Sequence, residues 1–139
     1  MGDTRLGDAN ELSRTLGLER VVELDDKAGR AIIEYRVGMH MCHSGGIAQG
    51  GFVTGWIDQA MAFAAIAAVG REFTPMSLEI KISFFKPATP GIVVAEGWIE
   101  KRGRSTIFLE GRLLDTSGEV LARGSSTARL LKLNAASPA

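Results

Sequence analysis

The sequence predicts an α+β fold in which one antiparallel β-sheet curls around a single long central α-helix. Between Val37 and Gly70 the only formal charge is Asp58, and residues 52–69 run through Ala, Met, Ile, Trp and Phe without a proline. That composition predicts a helix. Downstream the period changes to two: Leu78, Ile80, Ile82 and Phe84 alternate with Ser77, Glu79, Lys81 and Ser83, as in a half-buried strand. A helix apolar on nearly every side has only this one kind of sheet to bury it, so the sheet must wrap around it.

Taken in order, residues 10–16 predict a short helix, and residues 21–24 and 31–37 a first hairpin that turns at 25–29. A loop punctuated by Gly45, Gly46, Gly50 and Gly51 then leads into the central helix. Three strands follow the Ser77 segment, at residues 92–101, 105–114 and 120–131. They are separated by short segments, 87–91, 102–104 and 115–118, that carry Pro, Gly, Asp and Ser. Short turns lead one to expect that sequence neighbours pair antiparallel. On the helix, Gly51, Gly55, Asp58, Ala62 and Ala65 fall at three- and four-residue spacing, a stripe that lets other backbone approach the face of Asp58. No internal repeat or linker interrupts residues 1–139, which are expected to form one domain.

Composition narrows the function. The chain has 139 residues, 45% hydrophobic and 23% charged, ordinary values for a compact soluble domain. Sixteen Lys and Arg balance sixteen Asp and Glu, so no global field favours nucleic acid or an anionic membrane. Asp58 and the weakly apolar alanines argue against a membrane span for the long helix. The single Cys42 cannot form an intramolecular bridge and the first six residues lack the apolar run of a secretory signal, so a cytoplasmic location is expected. Leu6 stands where a myristoylation signal wants Ser or Thr. His40, Cys42 and His43 lack a fourth ligand at metal-site spacing, and neither a metal nor a cofactor is expected. Cys42 reads as a small buried residue.

Candidate chemistry concentrates in His43-Ser44-Gly45-Gly46-Ile47-Ala48-Gln49-Gly50-Gly51, with Asp58 seven residues beyond. This spacing resembles the hotdog-fold thioesterases of the phenylacetate-degradation (PaaI-like) type, whose pattern is Asn-x-x-Gly-x-x-His-Gly-Gly-x6-Asp. Gly46, Gly50, Gly51 and Asp58 match it, while His43 stands at the Asn position and Gln49 at the His position. The likeness continues downstream, residues 77–87 resembling the family's next strand and 118–127 its last. It implies a hotdog fold, acyl-CoA thioester hydrolysis and a dimer.

The residues support a compatible reading. Gly50 and Gly51 at the helix start would leave backbone N–H groups and the positive end of the helix dipole facing outward. A thioester carbonyl there would be polarised, and glycine admits the close approach. The alternative is a glycine-rich helix start without a ligand. Asp58, a lone carboxylate among apolar residues, reads as general base or nucleophile, or else as an acid that caps a loop or pairs with an arginine across an interface. Seven to eight residues separate it from the glycines, about 11 Å along a helix. Attack needs about 3–3.5 Å, so the site is expected to be shared between the two subunits of a homodimer related by two-fold symmetry. Whether dimers pair into a homotetramer stays open.

Gln49 can orient a carbonyl or a water but cannot exchange a proton near neutral pH. His43 can do both, or can steady the loop. Ser77 matches a family position near the reacting water, although strand parity turns it away from Leu78, Ile80 and Ile82, reachable only at the strand's end. Lys86 and the run Lys101-Arg102-Gly103-Arg104 are expected to cluster at strand ends, where they would meet coenzyme A phosphates or form solvated turns. The resulting expectation is an acyl-CoA thioesterase in which the Gly51 N–H polarises the carbonyl and the partner's Asp58 activates water or attacks. The alternatives are a non-catalytic acyl-CoA-binding protein and a hotdog enoyl-thioester hydratase, whose proline-rich loop is absent.

Overall fold

The computed structural model describes residues 3–6 and 10–133. Their elements are α1 (Glu11–Leu16), β1 (Leu18–Asp25), β2 (Arg30–Val37), β3 (Cys42–His43), β4 (Ile47–Ala48), α2 (Gly50–Val69), β5 (Phe73–Phe84), β6 (Gly91–Arg102), β7 (Thr106–Leu114) and β8 (Val120–Lys132). β3 and β4 form a small hairpin, and the other strands make one six-stranded antiparallel sheet ordered β1-β2-β6-β7-β8-β5. The sheet wraps α2, which is the hotdog fold that the resemblance implies. α2 is long and apolar enough to cross a membrane, but here one side of it is buried against the sheet.

Local chemistry explains the element ends. Asn10 caps α1, its side-chain oxygen accepting from Leu12 N–H and Ser13 N–H, and Gly17 closes it at φ 78°, a conformation glycine adopts without penalty. The Asp25 carboxylate accepts from Lys27 N–H and Ala28 N–H and so turns β1 into β2. α2 begins at Gly50, two residues before the point at which the sequence first becomes continuously apolar.

One expectation of strand order is corrected. β5 and β6, joined by residues 85–90, do not pair with each other: β5 pairs with β8, and β6 with β2. The connecting backbone is claimed elsewhere. Phe85 N–H and Lys86 N–H both donate to Leu121 O, and Ala88 O accepts from Ala48 N–H. The segment therefore crosses the start of α2 instead of closing a hairpin.

Three glycines let the helix sink onto the sheet. Gly97, Gly111 and Gly124 face one another across β6, β7 and β8, and a Cβ at Gly97 would lie 2.5 Å from the backbone of Ala60 and Met61. The Ile57 side chain fills the space that a Cβ at Gly111 would take, and Ile82 with Ile57 fills that at Gly124. Gly97→Ala is therefore expected to destabilise the chain by at least about 1–3 kcal/mol, read as a lower urea midpoint with an unchanged slope. On the opposite flank α1 is pinned to α2: Trp56 Nε1–H donates to Leu16 O at 2.7 Å. Gln59 Nε2–H donates to Ser13 Oγ at 3.1 Å, while its Oε1 accepts from the Tyr35 hydroxyl.

Candidate active site

α2 presents Gly51 and Asp58 on one side of a continuous helix, seven residues and about 10.5 Å apart along its axis. Asp58 is half-buried. Burial pushes its carboxyl group above its ordinary value, and a hydrogen bond from Ser77 opposes that shift in part. The Ser77 hydroxyl donates to Asp58 Oδ1 at 3.4 Å. The buried Tyr35 phenol is pushed well above its ordinary value, first by burial and then by the Asp58 charge.

The contact between Ser77 and Asp58 corrects the parity reading. Ser77 pairs with Ala128 and Glu79 with Thr127, leaving Leu78 as an extra residue in β5. Such a bulge reverses the in-and-out order on its two sides. Ile80 and Ile82 pack against the core while Leu78 stands 61% exposed, so Ser77 reaches the face of α2 from within the strand.

Two cavities meet at Asp58. One, about 350 Å³, lies toward β5 and includes Ser77, Met76, Met61 and Leu109. The other, about 310 Å³, lies between α1 and α2. A third, about 390 Å³, opens at the start of α2 and brings together His43, Gly50, Phe84 and Lys86. Thus His43, Gly50 and Lys86 share one cavity, while Asp58 and Ser77 face others.

The helix start differs from the expectation of two free N–H groups. Gln49 is the N-cap of α2, and its Oε1 accepts from Gly51 N–H at 2.7 Å. An orphan donor in the first helical turn takes the nearest acceptor, and a glutamine at the cap position reaches it. Gly50 N–H has no hydrogen-bond acceptor among the described residues. His43 is exposed at the tip of the β3–β4 hairpin, its Nδ1 3.0 Å from Ser44 Oγ. Cys42 is half-buried rather than buried, with its thiol donating to Gly38 O.

Lys86 and the 101–104 run do not form one cluster within the chain. Lys86 follows β5 beside the start of α2, where its Nζ pairs with Glu119 at 2.8 Å. β6 runs back along the helix, so Arg102 Nη1–H meets Ala68 O near the helix's other end, and Arg104 follows in the next turn. Among the described residues no group of three or more His, Cys, Asp or Glu is placed to hold a metal ion.

The reading of motifs missed Gln59, Tyr35 and the wall supplied by α1. Gln59, a second polar residue in an apolar helix, was the available signal. It is buried, and it ties both Tyr35 and Ser13 to the turn that carries Asp58.

Comparison with known proteins places this geometry in context. The family model described as the thioesterase superfamily matches residues 45–122. An esterase candidate from Saccharolobus solfataricus is 26% identical over 113 residues, covering 81% of this chain and 79% of that protein. A mutant structure of the phenylacetic acid degradation protein PaaI from Thermus thermophilus is similar at TM-score 0.77 and 24% identity, covering 88% of this chain and all of that one. A Streptococcus mutans protein bound to acetyl-CoA is similar at TM-score 0.73 and 19% identity, covering 81% of this chain and 87% of that one. At these identities the structural likenesses speak for the fold.

Proposed function

The chain belongs to the thioesterase superfamily, and from that premise we propose that it hydrolyses an acyl-CoA thioester to the free acid and coenzyme A. The observation that carries this reading is Asp58, a half-buried carboxylate that accepts from Ser77 and lines two cavities on the open side of α2. The acetyl-CoA bound by the Streptococcus mutans protein of the same fold supports the choice of ester.

In the proposed reaction the Asp58 carboxylate takes a proton from water as the water oxygen bonds to the thioester carbon. The C–S bond then breaks, and the coenzyme A sulfur leaves as thiolate and picks up a proton. The same carboxylate can instead bond to the carbonyl carbon and expel the thiolate, leaving an anhydride that water opens. A carboxyl group whose proton affinity is raised by burial is the stronger base of its kind, provided the pH exceeds its raised value. The carbonyl oxygen would lie against the N–H groups of Gly50 and Gly51, polarised by the helix start. His43 and Lys86, which share the cavity at Gly50, would flank the coenzyme A arm. Arg104 would reach it only from a second subunit.

A shared site follows from the rigid spacing of Gly51 and Asp58, because one helix keeps them about 10.5 Å apart. A homodimer in which one protomer's glycines face its partner's Asp58 closes that gap. β5 supports such pairing: it is a sheet edge with Met76 54% and Leu78 61% exposed, apolar surface that a lone chain would leave to aggregate.

A second reading, acyl-CoA binding without turnover, is favoured by one observation: Gln49 already occupies Gly51 N–H. Thiol release from acetyl-, octanoyl-, palmitoyl- and phenylacetyl-CoA separates the two. Cleavage of any ester at a rate that collapses in Asp58→Asn supports the thioesterase; binding of several esters with no thiol released supports the binder.

A further inference from the structure

We infer that α1, with Asn10 and Arg5, is the acyl-specificity element of the site, walling a pocket along α2 that takes an uncharged, apolar acyl group of intermediate length. The inference rests on the thioesterase reading for the identity of its ligand. Its geometry stands apart from that reading. The cavity of about 310 Å³ has Asp58 at one point of its lining and runs along α2 past Ala62 and Phe63 to Ile66, with Gly55 on the other side of Asp58. Its outer wall is Leu12, Leu16, Asn10 and Arg5. These wall residues lie outside the stretch, residues 45–122, that the family model matches.

The wall is built to stay. Leu16 O holds Trp56 Nε1–H and Ser13 Oγ holds Gln59 Nε2–H, which fixes α1 over the helix face. Gly55 makes the fit: a Cβ there would sit 3.0 Å from Leu16 Cδ2, so a larger residue would force the wall outward.

Arg5 lies toward the C-terminal end of α2. Its Nη1–H donates to Phe73 O at 2.7 Å and its Nη2–H to Gly70 O at 3.3 Å, both just beyond the C-terminus of α2. Its charge is spent on Asp3, 2.6 Å away. Arg5 is therefore no hook for an acyl carboxylate, and Asp58 in the lining would repel one. The pocket selects an uncharged group.

Size sets the length. Eight residues from Asp58 to Ile66 span about 12 Å, and the volume lies at the lower end of the range of about 300–1,000 Å³ for ligand clefts and cavities. An acetyl group leaves the pocket empty, and a long fatty chain overruns it.

The test uses coenzyme A thioethers, which carry an alkyl chain from ethyl to hexadecyl but no cleavable carbonyl, titrated by calorimetry beside thiol release from the matching esters. Each added methylene is expected to tighten thioether binding about fourfold until the pocket is full, after which affinity levels off. Ala62→Phe, which fills the pocket from α2, is expected to bring that plateau to shorter chains. Leu12→Ala, at a position 60% exposed and hence safe for folding, is expected to lower the gain per methylene. A flat series, or a series that neither variant changes, overturns the pocket. A climbing series without ester cleavage keeps the pocket and overturns the thioesterase. Cleavage with a flat series keeps the thioesterase and overturns the pocket.

Discussion

Asp58→Asn is expected to lower kcat for ester hydrolysis by about a hundred- to ten-thousand-fold, the range removed with a positioned general base, while the chain remains folded. Asparagine keeps the size of the side chain and an oxygen that can accept from Ser77, but it neither takes a proton from water nor attacks a carbonyl. The wild-type rate should rise with pH through the Asp58 titration, and because burial holds this carboxyl above its ordinary value, the acid limb should lie above the usual carboxylate range of about 4. The limb should vanish in the variant. Stability moves the opposite way. A carboxyl group with a raised folded-state pKa binds its proton more tightly in the folded chain, so its contribution falls as pH rises from the unfolded value to the folded one and stays lost above it. Asp58→Asn removes that loss, and the variant should melt at a higher temperature than wild type at neutral pH. A residue that served only to hold Ser77 would instead lower the melting temperature when replaced and leave the acid limb where it was.

Much of this arrangement is legible in the chain because it rests on local signals. The charge-poor run with Asp58 at its centre marks α2, the alternation around Ile80 and Ile82 marks β5, and the spacing of Gly46, Gly50, Gly51 and Asp58 marks the proposed site. The rest depends on partners distant in sequence. That β6 lies beside β2 instead of β5 follows from where the 85–90 backbone finds its hydrogen bonds, at Leu121 and Ala48. The turn of Ser77 toward Asp58 hangs on one extra residue, Leu78, and a bulge leaves no compositional trace in a strand of alternating residues. The row of Gly97, Gly111 and Gly124 gains meaning only once three strands are in register. Arg5 and Leu12 join the site through tertiary packing alone.

Gly51→Pro is expected to lower kcat by about a hundred- to a thousand-fold, the cost of losing one carbonyl-polarising donor. Proline is tolerated in the first turn of a helix; it removes the N–H that Gln49 now holds, and its Cβ, which would lie 2.6 Å from Gln49 Oε1, turns that amide aside. Gln49→Ala should move activity the other way. In the substrate-free chain the Gln49 Oε1 sits 2.7 Å from that N–H, in the place a thioester oxygen would take, so an ester must first displace it. A neutral hydrogen bond is worth about 0.5–1.5 kcal/mol net, which corresponds to a gain of about two- to thirteen-fold in kcat/KM when the competitor is deleted. The same change strips the cap from α2 and should cost about 0.5–2 kcal/mol of stability, so a more active and less stable variant is the expected pair of results. A fall in kcat/KM would instead make the Gln49 amide a group that positions the ester. The donor and the base can also be tested together by mixing Gly51→Pro and Asp58→Asn protomers, each inactive alone. If each site takes its N–H from one chain and its carboxylate from the other, half the mixed population is heterodimer with one intact site, and about a quarter of wild-type activity returns. Sites contained within single chains would return none.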